Sequence, residues 1–258
     1  MIHELQNIIR KIGSYTEIKK YFDSYEVHDE SNLKDTMTIS SGTIMFKDVS
    51  VKFGDKVIFD KFNLTIADNT KMAIMGEIGS GKSSLLKIII DLIPHDGHLY
   101  IDNKDTDEYT HNSIIKNIAY IPQNPKLFNR TILDNLQYGT SFNEQKINEM
   151  IQYYGLTELF KTFTDGLNTN VGKNGEKISG GQRQIVYILR SLFQNKKIIL
   201  LDEPSSSLDG EYKKTLIGLL KKINGKTIIA VTHDTDILEI FDRVLIMNKG
   251  QIIKDIKI

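Results

Sequence analysis

The chain has 258 residues and a formal net charge of zero, because 33 basic side chains balance 33 acidic ones. This balance, without a basic tail or stripe, argues against a nucleic-acid-binding protein, and the absence of cysteine excludes disulfides and thiolate metal sites. No apolar run approaches the roughly 18–20 residues that cross a bilayer and no secretory signal opens the chain, so we expect that this chain alone does not form a transmembrane path.

The chain begins with a predicted helix and linker. Apolar residues recur at three- and four-residue intervals over residues 1–26, which predicts a helix. Residues 27–42 are polar and predict a linker. Alternating apolar residues on either side of Gly54-Asp55 predict two strands joined by a turn.

From Met72 onward, short apolar strands alternate with helices, which is the pattern of a mostly parallel sheet covered on its faces. Between Gln123 and Lys177 the strand signal gives way to helical periodicity, and strands resume over residues 198–201, 227–231, 244–247 and 251–253. We therefore predict an α/β fold that has an N-terminal antiparallel β subdomain and a helical subdomain inserted at about residues 124–195.

A glycine-rich loop of the pattern G-x-x-x-x-G-K-S follows the strand that begins at Met72 and opens a helix. Glycine lets backbone N–H groups approach phosphate oxygens, and a helix N-terminus favours an anion. Lys82 would neutralise the β and γ phosphates and the Ser83 hydroxyl would ligate Mg²⁺. The strand–loop–helix order predicts a P-loop NTPase core. Its expected nucleotide contacts are Gly76, Glu77, Gly79, Ser80, Gly81, Lys82, Ser83 and Ser84.

An acidic pair ends the apolar strand over residues 198–201. The carboxyl end of a parallel strand is the edge where α/β sheets place ligands. We expect Asp202 to hold Mg²⁺, directly or through water, and Glu203 to act as general base on the attacking water. A helix-capping role for the pair is the alternative, since Pro204 and three serines follow.

The segment Ser179-Gly180-Gly181-Gln182 has the form of a capping box and precedes an amphipathic helix. A capped helix alone does not explain the two glycines, because each weakens the first turn by up to ~1 kcal/mol relative to alanine. Paired glycines suit a helix end that an anion approaches closely.

A glycine loop, an acidic strand end and an S-G-G-Q segment between them resemble the ATP-binding cassette (ABC) family, specifically the ATPase domain of an exporter-type transporter. The resemblance implies that two copies dimerise head to tail around two ATP molecules. The segment Ser179–Gln182 and Asp209 would then contact nucleotide held by the other copy, although Asp209 could equally cap the helix that follows it.

Three further residues match family landmarks. Gln123 resembles the glutamine that senses the metal ion and links to the membrane partner. His233 resembles the histidine that contacts the γ-phosphate and assists catalysis. Phe53 aligns with the aromatic residue that stacks on adenine, with a core β-strand phenylalanine as the alternative.

Two loops are similar to exporter sequences: residues 127–132 after Gln123, and residues 169–175 before Ser179. In the second loop, Asn170 and Asn174 replace the usual acidic and basic residues. The predicted helix over residues 1–26 resembles the cytoplasmic end of an exporter's last membrane helix, so residues 43–258 would form the ATPase domain proper.

The resemblance therefore implies an ATPase that uses ATP and Mg²⁺ and drives a separate transmembrane domain from the cytoplasmic face of a membrane. The alternative is a soluble ABC-type ATPase of DNA maintenance or translation. The segment between Gln123 and Ser179 is too short for the coiled-coil arms of the first, and the single cassette argues against the second. A regulator without turnover would not need Glu203 and His233.

Overall fold

The computed structural model describes residues 35–258, of which Thr36–Ile258 form one compact unit. The helix predicted over residues 1–26 lies outside the described residues. None of the helices in the described part of the chain has the length and hydropathy needed to span a membrane.

The described part of the chain contains ten strands and seven α-helices. The strands are β1 (Ile44–Phe53), β2 (Lys56–Ile66), β3 (Lys71–Gly76), β4 (Asp96–Ile101), β5 (Lys104–Asp105), β6 (Ile118–Ile121), β7 (Ile198–Asp202), β8 (Thr227–Val231), β9 (Arg243–Asn248) and β10 (Gln251–Lys257). The helices are α1 (Lys82–Ile89), α2 (His111–Asn117), α3 (Ile132–Gln137), α4 (Glu144–Tyr154), α5 (Thr157–Lys161), α6 (Gly180–Phe193) and α7 (Gly210–Lys221).

Two sheets organise these elements, and both confirm the predicted fold class. The smaller sheet is antiparallel, in the order β2-β1-β4-β5. The larger sheet has the order β10-β9-β3-β8-β7-β6, and its strands run parallel except for the antiparallel pair β9 and β10. Strands β4 and β5 were not predicted, and they extend the small sheet beyond the predicted hairpin.

The larger sheet is covered on both faces, as its apolar strands predict. Alternate residues of β7 belong to different clusters of buried side chains: Ile199 and Leu201 lie in one, and Ile198 and Leu200 in the other. The first cluster includes the apolar faces of α4 and α6, and the second includes α1 and the antiparallel sheet. Helices α3, α4 and α5 fall in the stretch where helical periodicity predicts an insertion.

The last residues of the linker predicted over residues 27–42 are not a solvent-exposed spacer. Met37 and Ile39 are buried in the second cluster. The carboxylate of Asp102 accepts backbone N–H hydrogen bonds from four consecutive residues, Ser40 to Thr43, at 2.6–3.0 Å. Burial raises the pKa of Asp102, but the hydrogen bonds from Ser41, Ser40 and Gly42 outweigh it and hold the pKa well below its usual range. A single distant carboxylate therefore fixes a segment whose polar composition resembles a linker.

Candidate functional site

Four predicted site segments follow four neighbouring strands at one edge of the larger sheet. The order β3-β8-β7-β6 places side by side the glycine-rich loop, His233, the pair Asp202-Glu203, and Gln123. Because these strands are parallel, their carboxyl ends meet at the same edge, where open α/β sheets bind ligands. The topology thus brings together residues that are far apart in the sequence.

The glycines of the loop differ in the space that surrounds them. Gly76 has a φ of 145° and Gly81, which begins α1 as its N-cap, has a φ of 100°. A side chain at Gly76 would collide with the carbonyl oxygen of Met247, and one at Gly81 would lie 2.9 Å from Cζ of Phe59. Gly79 also has a positive φ, of 82°, but a Cβ there would meet no atom within 4 Å. The open side of the loop at Gly79 leaves its backbone accessible to a phosphate.

Lys82 is the first residue of α1 and is only 6% exposed. Its ammonium group donates hydrogen bonds to the carbonyl oxygens of Gly76 and Glu77, each at 2.7 Å. Burial lowers the pKa of Lys82, and the nearby carboxylates of Glu203 and Asp202 oppose this shift. A buried cation whose hydrogen-bond partners are carbonyls is suited to an incoming anion. Ser80 beside it is 3% exposed, and its Oγ has no hydrogen-bond partner within the described residues.

Asp202 and Ser83 converge on one point. Ser83 Oγ donates a hydrogen bond to Asp202 Oδ1 at 3.1 Å. The other oxygen, Oδ2, accepts a hydrogen bond of 3.1 Å from the hydroxyl of Tyr120. Burial raises the pKa of Tyr120, as do the charge and the hydrogen bond of Asp202, so the phenol stays protonated and donates. The hydroxyl of Ser83 and the carboxylate of Asp202 are the oxygen donors that Mg²⁺ prefers, so these residues fit the ion.

Tyr120 was not among the predicted site residues. It lies on β6, beside Leu200 of β7, and reaches the end of β7 through its hydroxyl. The signal that could have identified it is a phenol in an otherwise apolar strand that ends at the ligand edge.

Glu203 follows β7 with a φ of 51°, an uncommon backbone conformation for a residue other than glycine. Its backbone N–H donates to Val231 O at 2.9 Å, which ties the end of β7 to the end of β8. Its carboxylate lies 3.2 Å from His233 Nε2, and the two side chains are 17% and 48% exposed. The structure thus pairs two of the three predicted catalytic side chains, the third being Lys82, and both members of the pair remain accessible to solvent.

Two further predicted residues, Gln123 and Phe53, have different surroundings. Gln123 Nε2 donates to Ser206 Oγ at 3.4 Å, so its side chain points toward the segment that follows Glu203. Phe53 ends β1 and is 51% exposed. The alternative that Phe53 is a core residue is therefore wrong, and its ring is available for stacking.

The S-G-G-Q segment is a capping box, as predicted. Ser179 is the N-cap of α6, with reciprocal hydrogen bonds to Gln182 of 3.1 and 3.0 Å. Gln182 Nε2 also donates to Thr162 Oγ1 at 3.1 Å. Asp209 caps α7, because its carboxylate accepts from the backbone N–H groups of Glu211 and Tyr212, each at 3.1 Å. The capping alternative for Asp209 is thus what the single chain shows.

The fold and the loop define a P-loop nucleotide-binding domain, in which a glycine-rich loop, a buried lysine and an acidic strand end share one sheet edge. The family model for ABC transporters matches residues 59–206. The chain belongs to the ABC transporter family, and ATP is its nucleotide.

Similar proteins agree with this assignment. The chain is 30% identical over 251 residues to an ATP-dependent lipid A-core flippase of Francisella tularensis, with 96% of this chain and 41% of the flippase covered. It is 35% identical over 236 residues to the mitochondrial iron-sulfur clusters transporter ATM1 of Debaryomyces hansenii, with 88% and 34% covered. The structure of a bacterial Atm1-family ABC exporter with ATP bound superposes with a TM-score of 0.84 at 25% identity, covering 96% of this chain and 44% of that one. The chain thus spans less than half the length of these relatives.

Proposed function

We propose that this chain is the ATP-binding and ATP-hydrolysing subunit or domain of an ABC exporter, which dimerises around two ATP molecules and drives transport through a separate transmembrane domain. The observation that carries the proposal is the pairing of Glu203 with His233 at 3.2 Å, beside the pairing of Ser83 with Asp202 at 3.1 Å. The relatives described above are named as a flippase, a transporter and an exporter, which favours this function over an ATPase of DNA maintenance or translation.

The residues divide the chemistry among them. Lys82 and the backbone of the loop hold the phosphates, the Ser83 hydroxyl would ligate Mg²⁺, and Asp202 would hold the ion directly or through water. When bound, the ion offsets negative charge on the phosphate oxygens. Glu203 orients a water molecule and accepts its proton, and His233 positions the Glu203 carboxylate and contacts the γ-phosphate. Gln123 lies at the same edge of the larger sheet, where its side chain would interact with the metal ion and the attacking water.

The remaining site residues act across a dimer. In the single chain, the side chain of Ser179 contacts Tyr212 and the side chain of Gln182 contacts Thr162. The N-terminus of α6 carries the partial positive charge of its helix dipole. We infer that Ser179, Gly180, Gly181 and Gln182, with Asp209, meet the nucleotide held by the loop of a second copy in a head-to-tail dimer. ATP would then bridge the copies, and its hydrolysis would release them.

The transmembrane partner supplies the transport path in this proposal. Curated relatives are more than twice as long as the segment that this chain matches. We propose that residues 1–42 connect residues 43–258 to a membrane-spanning region and hold the ATPase at the cytoplasmic face.

The dependence of activity on protein concentration tests the proposed function. If each site needs two copies, specific ATPase activity rises about tenfold for each tenfold increase in concentration while monomer predominates, by mass action. Phosphate release and light scattering on the same samples measure turnover and mass. Constant specific activity over a range where scattering reports only monomer would contradict the composite site.

Phe53→Ala is expected to raise the Kd for ATP by roughly 5- to 150-fold, because stacking on a base contributes about 1–3 kcal/mol. Thermal stability should change little, since the ring is 51% exposed. Val57→Ala is a matched control, as Val57 is 50% exposed on the adjacent strand β2. Titration with a fluorescent ATP analogue measures both, and an unchanged Kd in the Phe53 variant would remove this residue from the site.

A further inference from the structure

Gly181 has a packing role that its place in the S-G-G-Q segment does not reveal. Gly181 is buried in the first turn of α6, with helical backbone geometry, so no positive φ requires glycine there. A Cβ at this position would collide with Cγ of the Tyr212 ring and lie 2.6 and 2.8 Å from its Cδ2 and Cδ1 atoms. The aromatic ring therefore occupies the space that a side chain would fill.

The neighbouring glycine gives a direct comparison. A Cβ on Gly180 would have Arg183 Nη2 as its nearest neighbour within 4 Å, at 3.9 Å, which is an ordinary contact distance. The two glycines thus differ: a methyl group fits at residue 180 and does not fit at residue 181. Access of a phosphate to the helix end does not account for this difference, because both residues lie in the same turn.

Tyr212 also joins two helix starts. It lies in the first turn of α7, where its backbone N–H donates to the capping carboxylate of Asp209 at 3.1 Å. At the far end of the ring, Ser179 Oγ donates to the Tyr212 hydroxyl at 3.5 Å, a long hydrogen bond. Tyr212 thus contacts the N-caps of both helices, Ser179 through its hydroxyl and Asp209 through its backbone N–H, while its ring packs on Gly181.

We propose that Tyr212 is a positioning residue that sets the placement of Ser179 relative to Asp209 by packing its ring on the backbone of Gly181. The inference rests on the proposed function, in which both capped helix starts face the nucleotide of the second copy. Ring and glycine are complementary, so a change in either one alters the distance between α6 and α7. Packing provides the main contact, because the hydroxyl bond is long.

A double-mutant cycle tests the packing. Gly181→Ala is expected to lower Tm by roughly 2–10 °C, because overpacking a filled site is destabilising, whereas Gly180→Ala, the control for stability alone, should not lower Tm. In Gly181→Ala/Tyr212→Ala the methyl group has room, so Tm should return to that of Tyr212→Ala alone. Should Gly181→Ala give no folded protein, recovery of folded protein in the double variant is the same result. Additive Tm losses would overturn the proposal.

Nucleotide-dependent dimerisation tests the positioning role. In a Glu203→Gln background, Tyr212→Ala should require roughly tenfold more ATP or protein to dimerise, while its monomer binds ATP with unchanged Kd and Tyr212→Phe behaves as the parent. Light scattering at a temperature below the Tm of every variant measures the fraction of dimer at each concentration of ATP and protein. A Tyr212→Ala variant that dimerises like its parent overturns the positioning role and leaves the proposed function intact. A parent that stays monomeric with saturating ATP contradicts both.

Discussion

Glu203→Gln is expected to lower the rate of ATP hydrolysis by roughly 10²- to 10⁴-fold, the usual contribution of a general base, without lowering affinity for ATP. The amide preserves the size of the side chain and can still contact His233, which lies 3.2 Å from the carboxylate, but it cannot accept a proton from water. Phosphate release measures the rate, and a fluorescent ATP analogue measures the affinity.

The same variant should accumulate as a dimer with bound ATP. In the proposed cycle, ATP bridges two copies until hydrolysis removes the bridge, so blocking the proton transfer stabilises the bridged state. Light scattering with saturating Mg-ATP, and again with Mg-ADP, measures the difference. Glu149→Gln is the matched control, because Glu149 is an exposed carboxylate on α4 that contacts Gln145 and Lys146 of the same helix. Hydrolysis within a few-fold of wild type would contradict the role of Glu203 as base.

The residues at the ligand edge of the larger sheet are predicted well from the sequence, because each of them lies close to the carboxyl end of a strand. Gln123, Asp202 and His233 each follow a short apolar strand closely, and parallel strands bring such positions together without further information. The glycine-rich loop is predicted for the same reason, since strand, loop and helix are consecutive. Local periodicity and the rules of parallel sheets therefore suffice for these residues.

Contacts between distant segments could not be predicted in this way. The hydrogen bond of Tyr120 to Asp202 joins residues 82 positions apart, and that of Ser179 to Tyr212 joins residues 33 positions apart. Neither tyrosine stands in a recognisable motif. Asp102 likewise holds Ser40 to Thr43 from about 60 positions away, so a stretch that reads as a polar linker is fixed. Such contacts depend on how elements pack, which residue spacing does not encode.

The glycines at residues 180 and 181 show the same limit within one motif. Sequence reasoning gives both a single purpose, the close approach of an anion to a helix end. The structure separates them, because only Gly181 faces the ring of Tyr212. Two glycines of one motif can therefore be required for different reasons. The motif indicates the chemical reason, which is the close approach of an anion, and the structure shows the steric one, which is the ring of Tyr212 against Gly181.

Lys82→Ala is expected to weaken binding of Mg-ATP by about 100-fold or more, which corresponds to about 3 kcal/mol, and to abolish measurable turnover. Lys82 is the buried cation of the loop, and its two carbonyl partners, Gly76 and Glu77, can be exchanged for phosphate oxygens. Lys87→Ala is the matched control, because Lys87 is exposed on the same helix. Equilibrium titration and phosphate release compare the two variants. Near-normal hydrolysis by the Lys82 variant would contradict the assignment of this loop, since the terminal phosphates would then be neutralised without its lysine.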